Sequence, residues 1–257
     1  MKVRLPLLVV FLSLLSLPAW ADAQADRWIA KARAAVGSEA ALNGVKSIHF
    51  AGTLETSQQV PVNGDPTNLR TEPVRLAIDI IFQHPYRKRM TLRSDQIVEV
   101  TALDEYDAWV RRTPTAEPAK WQISFLDAQQ VKRLRANTWE NLSFFRGIEK
   151  RGGTVAFAGE VTTDGRECAK LVFTHAGNIV FTRYFDRSTG ALVKTETEAG
   201  GEIREEGELL VQGLRFPRKL INKAPNGQVT TITFDRIVLN DSFPADTFAV
   251  PALLPSN

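Results

Sequence analysis

Apolar and polar positions alternate through most of this chain, beginning at residue 46. In "KSIHFAGTLET" the residues Ile48, Phe50, Gly52 and Leu54 alternate with more polar neighbours. In "VRLAIDIIFQHP", Val74, Leu76, Ile78, Ile80 and Phe82 share one parity, while Arg75, Ala77 and Asp79 share the other. A period of two puts successive side chains on opposite faces, so these segments are strands with one apolar face and one wet face. "YRKRMTLRS" continues the pattern with Tyr86, Met90 and Leu92 against Arg87, Arg89 and Thr91, and "QIVEVTALD" and "YDAWVRRT" add two short strands. A loop rich in Pro, Asn and Gly, "VPVNGDPTN", is expected to close the first strand.

The period changes twice. Ahead of the strands, Trp28, Ile29, Ala32, Ala35 and Val36 recur at helical spacing, with Gly37 or Gly44 available as stops, which predicts one helix. Between residues 125 and 148, Val131, Leu134, Thr138, Leu142 and Phe145 again recur every three or four positions. That second helix is expected to sit between two halves of a sheet.

From residue 154 onward seven strand patterns follow, from "TVAFAGEV" to "VTTITFDRIVLN". Their connectors "TTDGR", "THAGN", "DRSTG", "EAGGE" and "APNGQ" carry the Gly, Asp and Asn that tight hairpins require. The inventory is about eleven strands and two or three helices. It predicts a mainly β (α+β) protein built on one large, curved antiparallel sheet. Segments such as "DIIFQ", "LVFTH" and "RIVL" are apolar on both parities, more than a sheet wet on one side needs, so a second covering layer is expected.

The first residues place Lys2 and Arg4 ahead of an apolar run from Leu5 to Leu17, followed by Ala19, Trp20 and Ala21. This has the form of a secretory signal peptide over residues 1–21, too short to span a bilayer, with the mature chain starting at Asp22 as one domain over residues 22–257. Without Lys2 and Arg4 the balance is 30 basic to 29 acidic residues, so a nucleic-acid partner is not expected. Cys168 is the single cysteine, which rules out a disulfide within the chain and any cysteine metal site; a buried, inert thiol is expected.

The sequence holds no G-x-S-x-G, no Walker A loop, no G-x-G-x-x-G opening a helix and no H-E-x-x-H. His49, His84 and His175 stand far apart, with no second ligand at a spacing that would prearrange a zinc site. Asp104, Glu105 and Asp107 read as a solvated turn rather than a calcium loop, and the charges around Arg87 and Glu205 read as wet faces. Neither catalysis, nor a cofactor, nor a metal is expected.

Four segments together carry a likeness: "LNGVKSIHFAGTL" after an exported helix, "RYFDRSTGALVK", "GLRFPRKLIN" and "FDRIVLNDSFPADTFAVP". In pattern and order they resemble the periplasmic outer-membrane lipoprotein carriers and their lipoprotein-sorting relatives. The resemblance implies an open, eleven-stranded half-barrel closed by helices, whose hollow side shelters acyl chains. It implies a periplasmic, monomeric carrier of lipid or lipoprotein, with an inner-membrane transporter as donor and an outer-membrane acceptor. A module binding a protein partner on the same scaffold is the alternative. The expected lining of the hollow is Leu76, Ile78, Ile80, Met90, Leu92, Phe181, Ile232 and Phe234, with Trp109 and Trp121 as gate or wall aromatics. Residues 114–151 are longer than a minimal carrier needs.

Overall fold

The computed structural model describes residues 18–252, so most of the expected signal segment lies outside the described residues. Helix α1 (Pro18–Val36) starts four residues ahead of the expected cleavage point, and α2 (Glu39–Asn43) follows it. Both glycines act as stops where one had been expected to: α1 ends before Gly37, Ser38 caps α2 by accepting from the Ala41 amide, and Gly44 closes α2.

The strands are β1 (Ser47–Val62), β2 (Asp65–Gln83), β3 (Arg87–Arg93), β4 (Ile97–Asp104), β5 (Asp107–Pro114) and β6 (Gln122–Phe125). Helix α3 (Ala128–Ser143) comes next. Then follow β7 (Thr154–Thr163), β8 (Arg166–His175), β9 (Ile179–Asp186), β10 (Leu192–Thr197), β11 (Glu202–Glu206), β12 (Leu209–Val211), β13 (Leu214–Phe216), β14 (Lys219–Lys223) and β15 (Val229–Leu239). Thirteen strands form one open antiparallel sheet in the order β6-β5-β4-β3-β2-β1-β15-β14-β11-β10-β9-β8-β7, and β12 and β13 pair with each other. This is the expected open half-barrel, with more strands than expected.

The added strand of the sheet is β6, for which no strand pattern was expected, and two other segments depart from the expected pattern. Gly207 and Pro217 interrupt what reads in sequence as two continuous strands, and the residues between them leave the main sheet as the β12–β13 hairpin. Proline has no N–H for a ladder, so β13 stops there. The expected loop "VPVNGDPTN" is instead a continuation of β1 and β2 through a two-residue turn, with Asn63 at φ 53° and Gly64 at φ 78°. Both angles are left-handed, as a type I′ hairpin turn requires.

The two free edges of the sheet are β6 and β7, which are joined by α3. The segment 114–151 is therefore the bridge from one edge to the other, across the inner face. Asp127 and Gln130 open α3 with a capping box. Phe144 and Phe145 close it with left-handed backbones, which turns Phe144 toward one core and Phe145 toward the other.

The inner face carries two large cores and a smaller one in which Tyr86, Leu103 and Ala108 pack against Val131, Leu134 and Trp139 of α3. One joins Ile48 and Phe50 of β1, Ile78, Ile80 and Phe82 of β2, and Phe234, Ile237 and Leu239 of β15 to Leu42, Leu142, Phe144, Leu214 and Phe216 above them. The other packs Ala25, Ile29 and Ala32 of α1 and Ala136 of α3 onto Ala169, Leu171, Phe173, Phe181 and Phe185. The outer face of β1–β5 is covered by the C-terminal segment after β15, rather than by helices. Trp109 donates its indole N–H to the Phe248 carbonyl at 3.1 Å, Arg89 donates to the Thr247 carbonyl, and Val250 packs with Val100, Ala102 and Trp109. His49 meets Asp79 at 2.8 Å and Asp241 at 3.5 Å beneath Phe243. This strap forms a second layer over β1–β5, the strands that include "DIIFQ", and does not reach β8, which holds "LVFTH".

Candidate functional site: the inner hollow

The register of the central strands arranges the inner face in rows. Ile48 lies between Phe82 and Leu239, and Phe50 between Ile80 and Ile237. A bulge at Ala51/Gly52 then restores parity, so that Gly52 lies between Ile78 and Phe234. A Cβ on Gly52 would stand 2.0 Å from the Thr233 carbonyl oxygen, so the close strand approach at this bulge excludes every other residue. The next row is Leu220, Ile232, Leu54 and Leu76, on β14, β15, β1 and β2.

Burial changes along these rows. Ile48, Phe50, Ile78, Ile80, Phe82 and Phe234 are buried under α2, the end of α3 and the β12–β13 hairpin. Leu54, Leu76, Leu220 and Ile232, with Met90 and Leu92 on β3, pack against the same core but are only half-buried. The hollow is therefore filled at one end and lined by partly open aliphatic side chains at the other.

Of the expected lining, Leu76, Ile78, Ile80, Met90, Leu92, Ile232 and Phe234 lie together in this region. Three of them, Ile78, Ile80 and Phe234, form the packed floor rather than the open wall. Phe181 faces inward but belongs to the second core, under α1. Trp109 is on the opposite face: it pairs with Ala102, whose parity on β4 is that of Val100, and it is 1% exposed under the C-terminal strap. It gates nothing on the inner side. Trp121 lies between the 3₁₀ turn Pro118–Lys120 and the edge strand β6, in neither inner core.

Polar groups on the inner face were not anticipated. Lys88 shares the parity of Met90, donates to the Asn137 Oδ1 on α3 at 2.9 Å and lies 5.3 Å from the Phe82 ring; burial lowers its ammonium to about 8. Under α3, Glu140 accepts from both His175 and Arg183. Burial by itself would raise the Glu140 carboxyl, but the Arg183 charge and the His175 hydrogen bond outweigh it and hold it below its ordinary value. Arg183 also faces the rings of Phe145, Phe173 and Phe181, and its Nε has no acceptor among the described residues.

Between the two cores a cleft of about 380 Å³ opens at the root of the β12–β13 hairpin, walled by Ala32 and Ala35 of α1, Phe145, Leu192 and Phe216, with Glu205 on β11 reaching into it. Glu205 pairs across the ladder with Leu220 and so continues the half-buried aliphatic row. Glu205 is exposed to water at the mouth of this cleft. No group of three or more potential metal ligands occurs among the described residues.

This is the architecture of an open antiparallel half-barrel with a helix laid across its hollow. The chain has that fold in common with a LolA superfamily protein from Nitrosomonas europaea: TM-score 0.57 at 13% identity, covering 88% of this chain and 97% of that one. A shared fold does not by itself carry a shared function; the same fold recurs in a domain described as a putative outer membrane lipoprotein-sorting protein from Vibrio parahaemolyticus, at TM-score 0.55 and 9% identity over 87% of this chain and 97% of that one. A DUF1329 family protein from Desulfovibrio piger matches at TM-score 0.54 and 10% identity, over 88% and 97%. No family model matches the chain, and no curated protein matches it in sequence.

Proposed function

We propose that this protein is a non-catalytic periplasmic carrier that shelters the acyl chain of a lipid or lipoprotein against the partly open end of its inner face. The observation that supports this most directly is the gradient of burial along β1, β2 and β15, from closed at Phe50 and Ile80 to half-open at Leu54, Leu76 and Ile232. Each methylene moved from water onto such a surface contributes about 0.8 kcal/mol, so one long chain offers on the order of 10 kcal/mol before association costs. The reading requires an apolar hollow and no reacting group. Export rests on the signal-like residues 1–21, and among the described residues no helix is long and apolar enough to cross a membrane. Transfer from an inner-membrane donor to an outer-membrane acceptor follows from the same reading.

Native mass spectrometry of protein purified gently from its own cells tests it. A bound species that releases an acylated molecule on extraction is expected. Leu54→Ser and Leu76→Ser are expected to weaken uptake of a fluorescent fatty-acyl probe without unfolding the protein. A ligand-free protein that also fails to take up the probe would sink the carrier reading.

A further inference from the structure

The β12–β13 hairpin is joined to the rest of the molecule by very few kinds of contact. The β11–β14 ladder runs as far as Glu206 and Lys219, breaks, and resumes between Leu209 and Phe216 as a separate ladder. The break falls at Gly207, whose φ of 66° is left-handed, and at Pro217, which has no N–H to donate. From Gly207 to Pro217 the one ion pair, Arg215 with Glu208, lies inside the segment. No hydrogen bond joins the segment to the other described residues.

Apolar contact alone holds the hairpin down. Leu209 and Val211 lie opposite Phe216 and Leu214 across the ladder, so the four share the face turned to the sheet, while Leu210 and Arg215 share the face turned to water. Strand β12 lies over β15, and Leu209 and Val211 are half-buried against the same core as Leu220 and Ile232. Phe216 meets the rings of Phe50 and Phe144 edge-on at 5.9 and 6.3 Å. Leu214 rests on Gly37 at the end of α1, so closely that a Cβ there would stand 2.5 Å from Leu214 Cδ2 and 2.8 Å from the Gly213 carbonyl oxygen. Elsewhere two clefts, of about 380 and 750 Å³, open between the hairpin and α1.

We propose that the β12–β13 hairpin is a flap that fills the acyl site in the empty protein and swings away on Gly207 and Pro217 when a chain enters. This rests on the acyl-binding reading and adds to it the element that controls access. Leu209 and Val211 keep the ligand's place over Leu220 and Ile232. Lifting the flap breaks no hydrogen bond to the sheet and strands no charge. It gives up apolar contact only, and an alkyl chain laid on the same row returns contact of the same kind. A segment with two short hinges and no polar tether opens locally without unfolding the sheet beneath it.

Two measurements on the mature protein test this. In hydrogen exchange without ligand, the amides of Leu209–Phe216 are expected to exchange well before those of β14 and β15. Gly37→Ala, whose methyl group cannot coexist with the seated tip, is expected to speed that exchange about tenfold and leave β14 and β15 unchanged. In titrations with undecanoate carrying a dansyl group, the double variant Leu209→Ala/Val211→Ala is expected to bind about tenfold more tightly than wild type, because a weaker flap is open more often. Leu54→Ser and Leu76→Ser change binding in the opposite direction. Exchange of the hairpin only together with the sheet overturns the flap and leaves acyl binding standing, and so does unchanged or weaker binding by the double variant. Failure of wild type and all variants to take up the probe overturns the acyl reading, and the flap's role with it.

Discussion

The two halves of the inner face bury their polar groups in opposite ways. On β8 and β9, Leu171, Phe173, Phe181 and Phe185 are closed beneath α1 and α3, and the charges among them are matched: Glu140 answers both His175 and Arg183. Across β14, β15, β1, β2 and β3, aliphatic side chains stay half-open, and the inward-facing Lys88 meets the Asn137 amide oxygen rather than a carboxylate. The first half is a finished core that fixes α3 in place. The second stays partly open to water, as the proposed acyl-binding surface requires.

The largest expected effect tests whether the closed half holds the fold. Glu140→Ala leaves Arg183 and His175 buried without their acceptor and is expected to cost about 3–5 kcal/mol in urea unfolding. The same carboxyl gives a pH signature. Its folded value lies below its unfolded one, so its contribution is present above about pH 4.5 and is lost as the pH falls further; Glu140→Gln should flatten that acid limb of a stability profile.

Next in size is the contrast within one strand. Phe234→Ala, at the closed end, is expected to cost about 3–5 kcal/mol, whereas Ile232→Ala, two residues earlier and half-buried, should cost only about 1 kcal/mol while weakening acyl-probe binding more than Phe234→Ala does per unit of stability lost. Equal costs at the two positions would erase the distinction between floor and wall.

On the outer face, Trp109→Phe removes the indole hydrogen bond to the Phe248 carbonyl, and a loss of about 1 kcal/mol is expected. Limited proteolysis should then cut the C-terminal segment sooner, while probe uptake stays unchanged because Trp109 does not face the hollow.

Much of this was legible in the chain. The parity of Leu76, Ile78, Ile80 and Phe82 identified the inner face of β2, and the hairpin chemistry of "DRSTG" and "THAGN" marked the meander. The buried ion group also left a trace that the reading passed over. Arg183 falls between Phe181 and Phe185 on the apolar parity of β9, and a cation there demands an acid, yet Glu140 sits on a helix 43 residues earlier, outside the apolar series of α3. Lys88 shows the same signature between Tyr86 and Met90, and Glu205 shares its parity with Ile203.

Periodicity and turn chemistry are local, and so the sequence by itself determined where most strands lie, which side of each is apolar, and that one helix precedes the sheet while another interrupts it. Which apolar side becomes hollow and which becomes outer wall depends on where covering segments land. Only the tertiary structure placed the C-terminal strap over Trp109, bent the β12–β13 hairpin off the ladder and carried α3 from edge to edge. The same long-range packing decided that Phe234 is covered while Ile232 remains half-open, because strand periodicity gives the two the same face and says nothing about what lies above it.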